Sequence, residues 1–156
     1  MKGPSPKAAV RKVAENRQAH FLYEVEDSLE VGIELLGSEV KSLRDGKVSL
    51  AEGYAAPKGR ELFLYKVHIA PYKAAGLFGH EPLRPRRLLL HRREVEKCAS
   101  KVRERGLTLV PLCLYFKAGW AKLQLGLCIG KKQADRREDI KERHMRREMA
   151  AALKRR

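Results

Sequence analysis

Cysteine is scarce in this chain of 156 residues, and the spacings that commonly bind metal ions are missing. The three cysteines, Cys98, Cys113 and Cys128, lie far apart and include no C-x-x-C pair. Neither a disulfide framework nor a zinc finger is indicated, so we interpret them as core residues in a reducing compartment. The five histidines lack H-x-x-x-H or H-E-x-x-H spacing. We therefore expect no metal ion and no cofactor.

Long apolar runs are also absent from the sequence. No segment approaches the ~20 apolar residues of a membrane-spanning helix. The N-terminus has no apolar core of the kind that a signal peptide carries. We therefore expect a cytoplasmic protein with no membrane partner.

Sequence motifs of enzyme active sites are missing as well. The chain has no P-loop, no G-x-G-x-x-G and no nucleophile elbow. Glu30 and Glu34 lie on one face of a predicted strand and could act as paired carboxylates in a nuclease or glycosidase. No further acidic residue completes such a motif. We expect a binding protein that catalyses nothing, with an RNA-processing enzyme as the alternative.

Acidic residues are few relative to basic ones: 19 Asp and Glu stand against 34 Lys and Arg, for a formal net charge of +15. Such an excess repels itself unless a polyanion neutralises it, and nucleic acid is the commonest polyanion. Tyr23 and Trp120 add aromatic rings to the predicted strands, and this combination favours an RNA-binding surface. The basic groups are Arg84 to Arg87, Arg92-Arg93, Lys101 to Arg105 and the C-terminal tail.

The string GSEVKSLRDGK, residues 37–47, predicts one short helix between strand-like segments. Ser38 is a suitable N-cap, Glu39 places an anion at the positive helix end, and Gly46 provides a stop. The spacing would turn Val40 and Leu43 toward a core, and Lys41, Arg44 and Lys47 outward.

Alternating apolar and polar residues predict most other elements. Residues 1–15 have no usable period, and we interpret them as a flexible basic arm. Residues 21–25 and 29–35 resemble a hairpin that turns at Asp27-Ser28. Residues 62–69 predict a strand with Phe63, Tyr65, Val67 and Ile69 on one face. The other predictions are strands at 48–56, 107–116 and 120–128, a surface loop at 70–87, and a helix from His91, in capping-box spacing with Glu94, to Gly106.

This pattern predicts a mainly β fold, a small closed barrel of about six antiparallel strands with two or three helices. The barrel domain would span residues 16–130, because the composition changes abruptly after Gly130. Residues 131–156 carry eleven basic and five acidic residues and only a thin apolar stripe. We predict a basic C-terminal tail that is disordered when free and helical against a polyanion.

Three blocks of the sequence resemble the SsrA-binding protein family, also called small protein B. GSEVKSLRDGKVSL resembles its G-T-E-V-K-S-L-R-x-G-K block, and RRLLLHRREV resembles R-K-L-L-L-H-K-x-E-I. KVRERGLTLVPLCLYFKAGWAKLQLGLCIGKK resembles K-G-x-T-L-V-P-L-x-L-Y-x-K-x-G-x-A-K-V-x-x-G-L-A-x-G-K-K. The similarity runs in order from about Asn16 to Met149.

The resemblance implies an oligonucleotide-binding-type barrel that binds the tRNA-like domain of transfer-messenger RNA (tmRNA). With elongation factor Tu, such a protein brings the alanine-charged RNA to ribosomes stalled on broken messages. The barrel would take the place of an anticodon arm at the decoding centre, while the tail becomes helical in the empty mRNA channel. We expect a monomer, and a ribosomal protein of similar fold is a further alternative.

The resemblance also implies RNA contacts at single residues. It places Glu30 of LEVG, Leu89 and His91 of LLLH, and Lys122 of AKL in the RNA-binding surface. The alternation of apolar and polar residues also predicts that Glu30 and Lys122 face outward, in agreement with this placement. For Leu89 the sequence pattern instead predicts a core position. Phe21 of AHFLY stands where the family has histidine, so stacking is still possible. The remaining predicted RNA-binding residues are Tyr23, Lys41, Arg44, Arg86 and Arg87.

The string GKKQADRR resembles the family's G-K-K-x-Y-D-K-R at the start of the tail. Ala134 replaces an aromatic ring there, which removes any stacking by that side chain. The residues that the resemblance implies for ribosome contact are Gly130, Lys131, Lys132, Asp135, Arg136 and Arg137.

Overall fold

The computed structural model describes residues 10–131 and 133–154. It has nine strands, four α-helices and a 3₁₀ turn at Lys73–Phe78 within these residues. The strands are β1 Val10–Glu15, β2 Tyr23–Ile33, β3 Val48–Ser49, β4 Tyr54–Lys58, β5 Glu61–Tyr65, β6 His68–Ile69, β7 Arg86–Leu89, β8 Thr108–Lys117 and β9 Trp120–Gly130. The helices are α1 Arg17–Leu22, α2 Gly37–Arg44, α3 Arg92–Arg105 and α4 Gln133–Lys154.

Six antiparallel strands close into a ring in the described part of the chain. Their order is β8-β4-β5-β7-β2-β9, and the pairing of β8 with β9 completes the circle. Strand β1 pairs with β8 outside this circle, and β3 and β6 form a separate two-stranded sheet. The predicted mainly β fold, with about six antiparallel strands and a few helices, is confirmed.

Inward-pointing aliphatic side chains fill the ring. Val31, Leu64, Leu114 and Leu123 are each at most 1% exposed. Helices add to the same core, because their apolar stripes pack on it: Leu43 comes from α2, and Val95 and Cys98 come from α3. The helix predicted after His91 is confirmed at 92–105. So is its stop at Gly106, whose φ of 64° is the left-handed conformation that glycine tolerates best.

Residues 10–25 differ from their prediction. Residues 10–15 are not a flexible arm but strand β1, in which Val10 pairs with Lys117 and Glu15 with Cys113. Residues 1–9 lie outside the described residues. The strand predicted at 21–25 begins instead as helix α1, whose cap is the buried Asn16. Its amide donates to the carbonyls of Leu50 and Pro111 at 3.2 and 3.0 Å, contacts that the local pattern could not reveal.

The hairpin predicted around Asp27-Ser28 is also wrong. Strand β2 runs without a turn from Tyr23 to Ile33, and its register against β9 shifts once, between Val25 and Asp27. A bulge of this kind inserts a residue without breaking the strand. The polar dipeptide therefore marks a bulge rather than the end of a strand.

The face predicted for the strand at 62–69 is half wrong. Leu62 and Leu64 are buried, so Phe63 and Tyr65 point outward. Val67 and Ile69 are nevertheless buried. Lys66 has a φ of 57°, and this left-handed residue interrupts the alternation between the two pairs. The loop predicted at 70–87 likewise ends in strand β7.

Helix α2 starts two residues earlier than the predicted N-cap Ser38 would place it. Its N-cap is Leu36, whose backbone N–H donates to Glu39 Oε1 at 2.8 Å. Ser38 instead contacts His80, with 2.8 Å between Oγ and Nδ1. Gly46 ends the segment with a φ of 71°, as predicted.

Candidate nucleic-acid interface

Four neighbouring strands align the residues that the sequence motifs singled out. In one row, Leu89 of β7 pairs with Gly32 of β2, Gly32 with Lys122 of β9, and Lys122 with Tyr115 of β8. Paired residues of a sheet project to the same side. Their neighbours Leu88, Val31, Leu123 and Leu114 are buried, so this row lies on the outer wall.

Gly32 keeps this row open. A Cβ atom at Gly32 would lie 3.1 Å from Leu89 Cβ, closer than side chains comfortably pack. The missing side chain lets Leu89 lie across β2, where it is 46% exposed. The alternation-based expectation of a buried Leu89 is therefore wrong. Strand β7 buries Arg86 and Leu88 and exposes Arg87 and Leu89.

An outer groove of about 420 Å³ lies along this row. Its walls are mostly apolar, and Trp120 is 73% exposed although it is the largest side chain there. The sequence pattern favours Trp120 as an aromatic ring of an RNA-binding surface but assigns it no particular contact. A large exposed ring beside a lysine suits contact with a nucleobase and its phosphate. The principal lining side chains are Leu35, Val40, Leu89, Phe116, Trp120 and Lys122.

Glu30 lies on the same outer wall, one row from Gly32. The Tyr115 hydroxyl donates to Glu30 Oε2, and Lys117 Nζ lies 3.4 Å from Oε1. The Tyr115 hydrogen bond, aided by Lys117, holds the pKa of Glu30 below its usual value. Burial and the neighbouring carboxylate raise the pKa of Tyr115, which therefore stays protonated as the donor. The pair presents an ionised, oriented acceptor.

Tyr115 is a site residue that the sequence prediction missed. It occupies β8 directly opposite Lys122 and is 9% exposed, yet its hydroxyl reaches the outer wall. The one sequence signal is that Tyr115, like Lys122, occupies an outward-facing position of its strand. That signal requires the register of β8 on β9, which no local pattern supplies.

Arg86 does not belong to the interface, and its prediction as an RNA contact is wrong. It is 0% exposed and donates to Glu39 Oε2, and to the carbonyls of Val67 and Pro82 at 2.7 and 3.1 Å. Arg84 Nη2 reaches the other Glu39 oxygen at 2.5 Å. Burial, the largest influence, would raise the pKa of Glu39, but the Leu36 N–H and the two arginines together lower it.

Arg87 points outward, as predicted, beside two acidic residues. Its Nε donates to Glu34 at 2.8 Å and its Nη1 to Glu61 at 2.9 Å. A hollow of about 400 Å³ beyond Leu89 brings Arg87 together with Arg60 and Arg92. His91 is the exposed N-cap residue of α3. Its side chain accepts no capping hydrogen bond from the described residues, so the capping-box interpretation is wrong.

Helix α2 contributes one lining residue to the groove. Val40 lines it directly, and Lys41 and Arg44 are exposed on the same helix. The Lys41 ammonium lies 5.3 Å from the centre of the Tyr72 ring, and the Arg44 carbonyl accepts from Arg11 at 2.8 Å. Both side-chain charges remain on the surface.

Phe21 and Tyr23 lie elsewhere, at the opposite end of β2. Gly32 lies nine positions after Tyr23 along β2, which corresponds to ~30 Å. Tyr23 pairs with Gly130, and Arg143 of α4 lies 5.6 Å from the centre of the Phe21 ring. These two residues therefore belong with the tail rather than with the outer groove.

The start of the tail contacts α1. Lys131 Nζ donates to the His20 carbonyl at 2.9 Å and forms an ion pair with Asp139. Of the other predicted tail residues, Lys132 lies outside the described residues, Asp135 and Arg136 are described only as part of helix α4, and Arg137 is exposed. The prediction that the tail is disordered when free stays a prediction.

The described residues contain no cluster of three or more potential metal ligands. None of their helices is long and apolar enough to cross a membrane.

Closed antiparallel barrels with a basic outer wall are typical of small nucleic-acid-binding proteins. The family model described as SmpB protein matches residues 13–155. The SsrA-binding protein of Myxococcus xanthus (strain DK1622) is 54% identical over 155 residues, covering 99% of this chain and 96% of that protein. That of Gloeothece citriformis (strain PCC 7424) is 51% identical over 144 residues, covering 92% and 93%.

A solved chain from work on tmRNA–SmpB at the center of the bacterial ribosome is also similar. It is 46% identical with a TM-score of 0.65, and the match covers 77% of this chain and 85% of the solved chain. This chain belongs to the SmpB family, and the family resemblance of its sequence is confirmed.

Proposed function

We propose that this chain binds the tRNA-like domain of tmRNA through the outer groove and acts with it in trans-translation. The relatives are SsrA-binding proteins, and the solved relative was studied with tmRNA and the bacterial ribosome. The observation that carries the proposal is the row formed by Leu89, Gly32 and Lys122, with Glu30 beside it. Three separate sequence motifs supply these residues.

The groove offers three kinds of contact to RNA. Lys122 supplies a positive charge for a phosphate, Glu30 accepts hydrogen bonds from base N–H groups, and Leu89 and Trp120 offer apolar surface to a base. The rim adds further predicted contacts, namely His91, Arg87, Lys41 and Arg44. The ring domain of residues 16–130, extended by strand β1, is the RNA-binding unit of this proposal.

The tail has a separate role in this proposal. The protein, a cytoplasmic monomer, delivers tmRNA with elongation factor Tu to stalled ribosomes. Residues 131–156 then enter the empty mRNA channel, and Phe21 and Tyr23 face the decoding centre beside them. The chain is a binding protein and not an enzyme. The lowered pKa of Glu30 also suits it poorly to general-base catalysis, which works best with a pKa near the working pH.

A comparison of two RNAs tests the proposal. We expect tighter binding to the isolated tRNA-like domain of tmRNA than to an ordinary elongator tRNA at the same salt concentration. Non-specific phosphate contacts alone would bind both RNAs equally and lose affinity in parallel as salt rises. Equal affinities across a salt series would therefore contradict specific recognition.

Replacing Lys122 by alanine should weaken binding of the tRNA-like domain by roughly 1–3 kcal/mol, because one charge-assisted hydrogen bond is lost. Fluorescence anisotropy at physiological salt would measure the change. Lys97→Ala is the matched control, since it removes the same charge from the exposed surface of α3. An equal loss in both variants would indicate that only total charge matters.

Replacing Tyr115 by phenylalanine should weaken binding by roughly 0.5–1.5 kcal/mol, because Glu30 loses the hydroxyl that orients it. The same substitution should add little once Glu30 is already glutamine. A double-mutant cycle measured by RNA affinity would test this coupling. Additive losses from the two substitutions would mean that Tyr115 acts independently of Glu30.

A further inference from the structure

A group of three aromatic rings lies on the outer wall of the β4–β5 hairpin and is not part of the lining of the outer groove. Tyr54 pairs directly with Tyr65, and their ring centres are 5.5 Å apart in a stacked arrangement. Phe63 continues the row at 6.4 Å from Tyr65. We call these three side chains the aromatic ladder.

The ladder faces outward because the hairpin alternates. Ala55, Leu62 and Leu64 are at most 5% exposed and fill the ring. Tyr54 is 38% exposed, and Phe63 and Tyr65 are half-buried, so the rings keep accessible surface. Strand β5 is three places from β9 in the ring, or ~15 Å along the wall. Phe63 pairs with Arg87 of the neighbouring strand β7, on the rim of the groove, but none of the three rings lines the groove itself.

Positive charge surrounds the ladder. Lys58 Nζ lies 5.7 Å from the centre of the Phe63 ring, in a cation–π arrangement. Arg60 and Lys66 belong to the same hairpin and are exposed. The hairpin's single carboxylate, Glu61, is already bound by Arg87. Rings flanked by unneutralised cations complement a polyanion that carries flat apolar groups.

We infer that the aromatic ladder is a second binding site, one that takes an unpaired run of RNA by base stacking. Stacked cross-strand rings also stabilise a hairpin, but that role requires no cations and no exposed ring surface. Aromatic platforms in positively charged surroundings bind single strands with little sequence preference. Duplex RNA would not offer its base faces to such a platform.

Fluorescence anisotropy with a labelled nine-nucleotide oligoadenylate tests the inference on the full-length chain. Tyr54→Leu combined with Phe63→Leu should weaken its binding roughly tenfold or more, since each stacked base contributes substantially. Tyr54→Phe combined with Phe63→Tyr keeps the rings and should bind within about twofold of the original chain. Equal binding by both double variants, or no binding by the original chain, would overturn the inference.

A crosslinking experiment on the original chain tests the same site without any variant, so its result does not depend on whether a variant folds. Crosslinks from an oligonucleotide with a central 4-thiouridine should fall within residues 54–66, and crosslinks confined to other segments would refute the site. The tRNA-like domain of tmRNA provides the comparison. Lys122→Ala should weaken its binding while oligoadenylate binding persists, so failure of the ladder and failure of the groove give different results.

Discussion

Replacing Glu39 by glutamine should destabilise the folded chain by about 3–5 kcal/mol, the largest stability effect that we expect from one substitution. Both Glu39 and Arg86 are 0% exposed. Removing one charge leaves the Arg86 guanidinium buried without its counterion, and water cannot replace the partner. The glutamine oxygen can still accept from Arg84 and from the Leu36 N–H, but its NH2 group would then face Arg86 Nε, donor against donor. Urea unfolding followed by circular dichroism would measure the difference.

Glu34→Gln is the matched control for this prediction. Glu34 also pairs with an arginine, at 2.8 Å from Arg87, but both side chains are exposed. Exposed ion pairs of this kind contribute about 0–1 kcal/mol. Similar losses from Glu34→Gln and Glu39→Gln would mean that burial does not set the strength of the Glu39 contacts.

The dependence of stability on pH gives an independent check. The folded-state pKa of Glu39 lies below its ordinary value of 4.5. Its stabilising contribution is therefore complete above about pH 4.5 and is lost as the pH falls through the folded-state pKa. Unfolding free energies measured from pH 6 downward should fall less steeply in Glu39→Gln than in the original chain. Parallel curves would contradict the assignment.

The elements predicted correctly are those with strong local patterns. Strand β8 is an apolar run, β9 alternates after a Lys-Ala-Gly turn, and helix α3 combines an apolar stripe with a glycine stop. In each case the residues that determine the structure are close in sequence. Periodicity therefore sufficed to locate the elements.

The errors arise where distant residues decide the structure. Strand β1 exists because β8 offers it a free edge, about a hundred residues later in the chain. Arg86 is buried because it forms an ion pair with the buried Glu39. The run of basic residues around it predicts only exposed side chains. The left-handed backbone conformation of Lys66 reverses the alternation of buried and exposed residues, and a lysine in the sequence does not predict that conformation.

The candidate site combines both cases. Alternation placed Glu30 and Lys122 outward, and motif resemblance supplied Leu89, which alternation alone had assigned to the core. Leu89 and Lys122 share a row with Gly32, and Glu30 lies in the adjacent row, because of the register of β7, β2 and β9, in which Gly32 and Lys122 are 90 positions apart. Gly32 gains its role from this register and Tyr115 from the register of β8 on β9, so neither role could be predicted from neighbouring residues in the sequence.

Deleting residues 133–156 should abolish tagging of stalled nascent chains while changing tmRNA affinity by only about threefold, because the outer groove remains intact. The deletion removes nine basic and five acidic residues, which leaves +11 of the formal charge of +15. It also removes Asp139 and Arg143, the α4 partners of Lys131 and Phe21, but no residue that lines the groove. A reconstituted translation reaction on a message without a stop codon would measure tagging, and RNA anisotropy would measure affinity.

A substitution inside the tail separates its helical form from its charge. Ile140 is 53% exposed in α4, so Ile140→Ala removes little packing and should preserve tagging. Ile140→Pro keeps every charge but costs the helix about 3 kcal/mol, and should therefore reduce tagging severely. If the proline variant tags normally, the tail acts through its charge rather than through a helix.

If the deletion of residues 133–156 lowers tmRNA affinity more than tenfold, the tail contributes to RNA binding. The ring and the tail then do not have the separate roles that we propose.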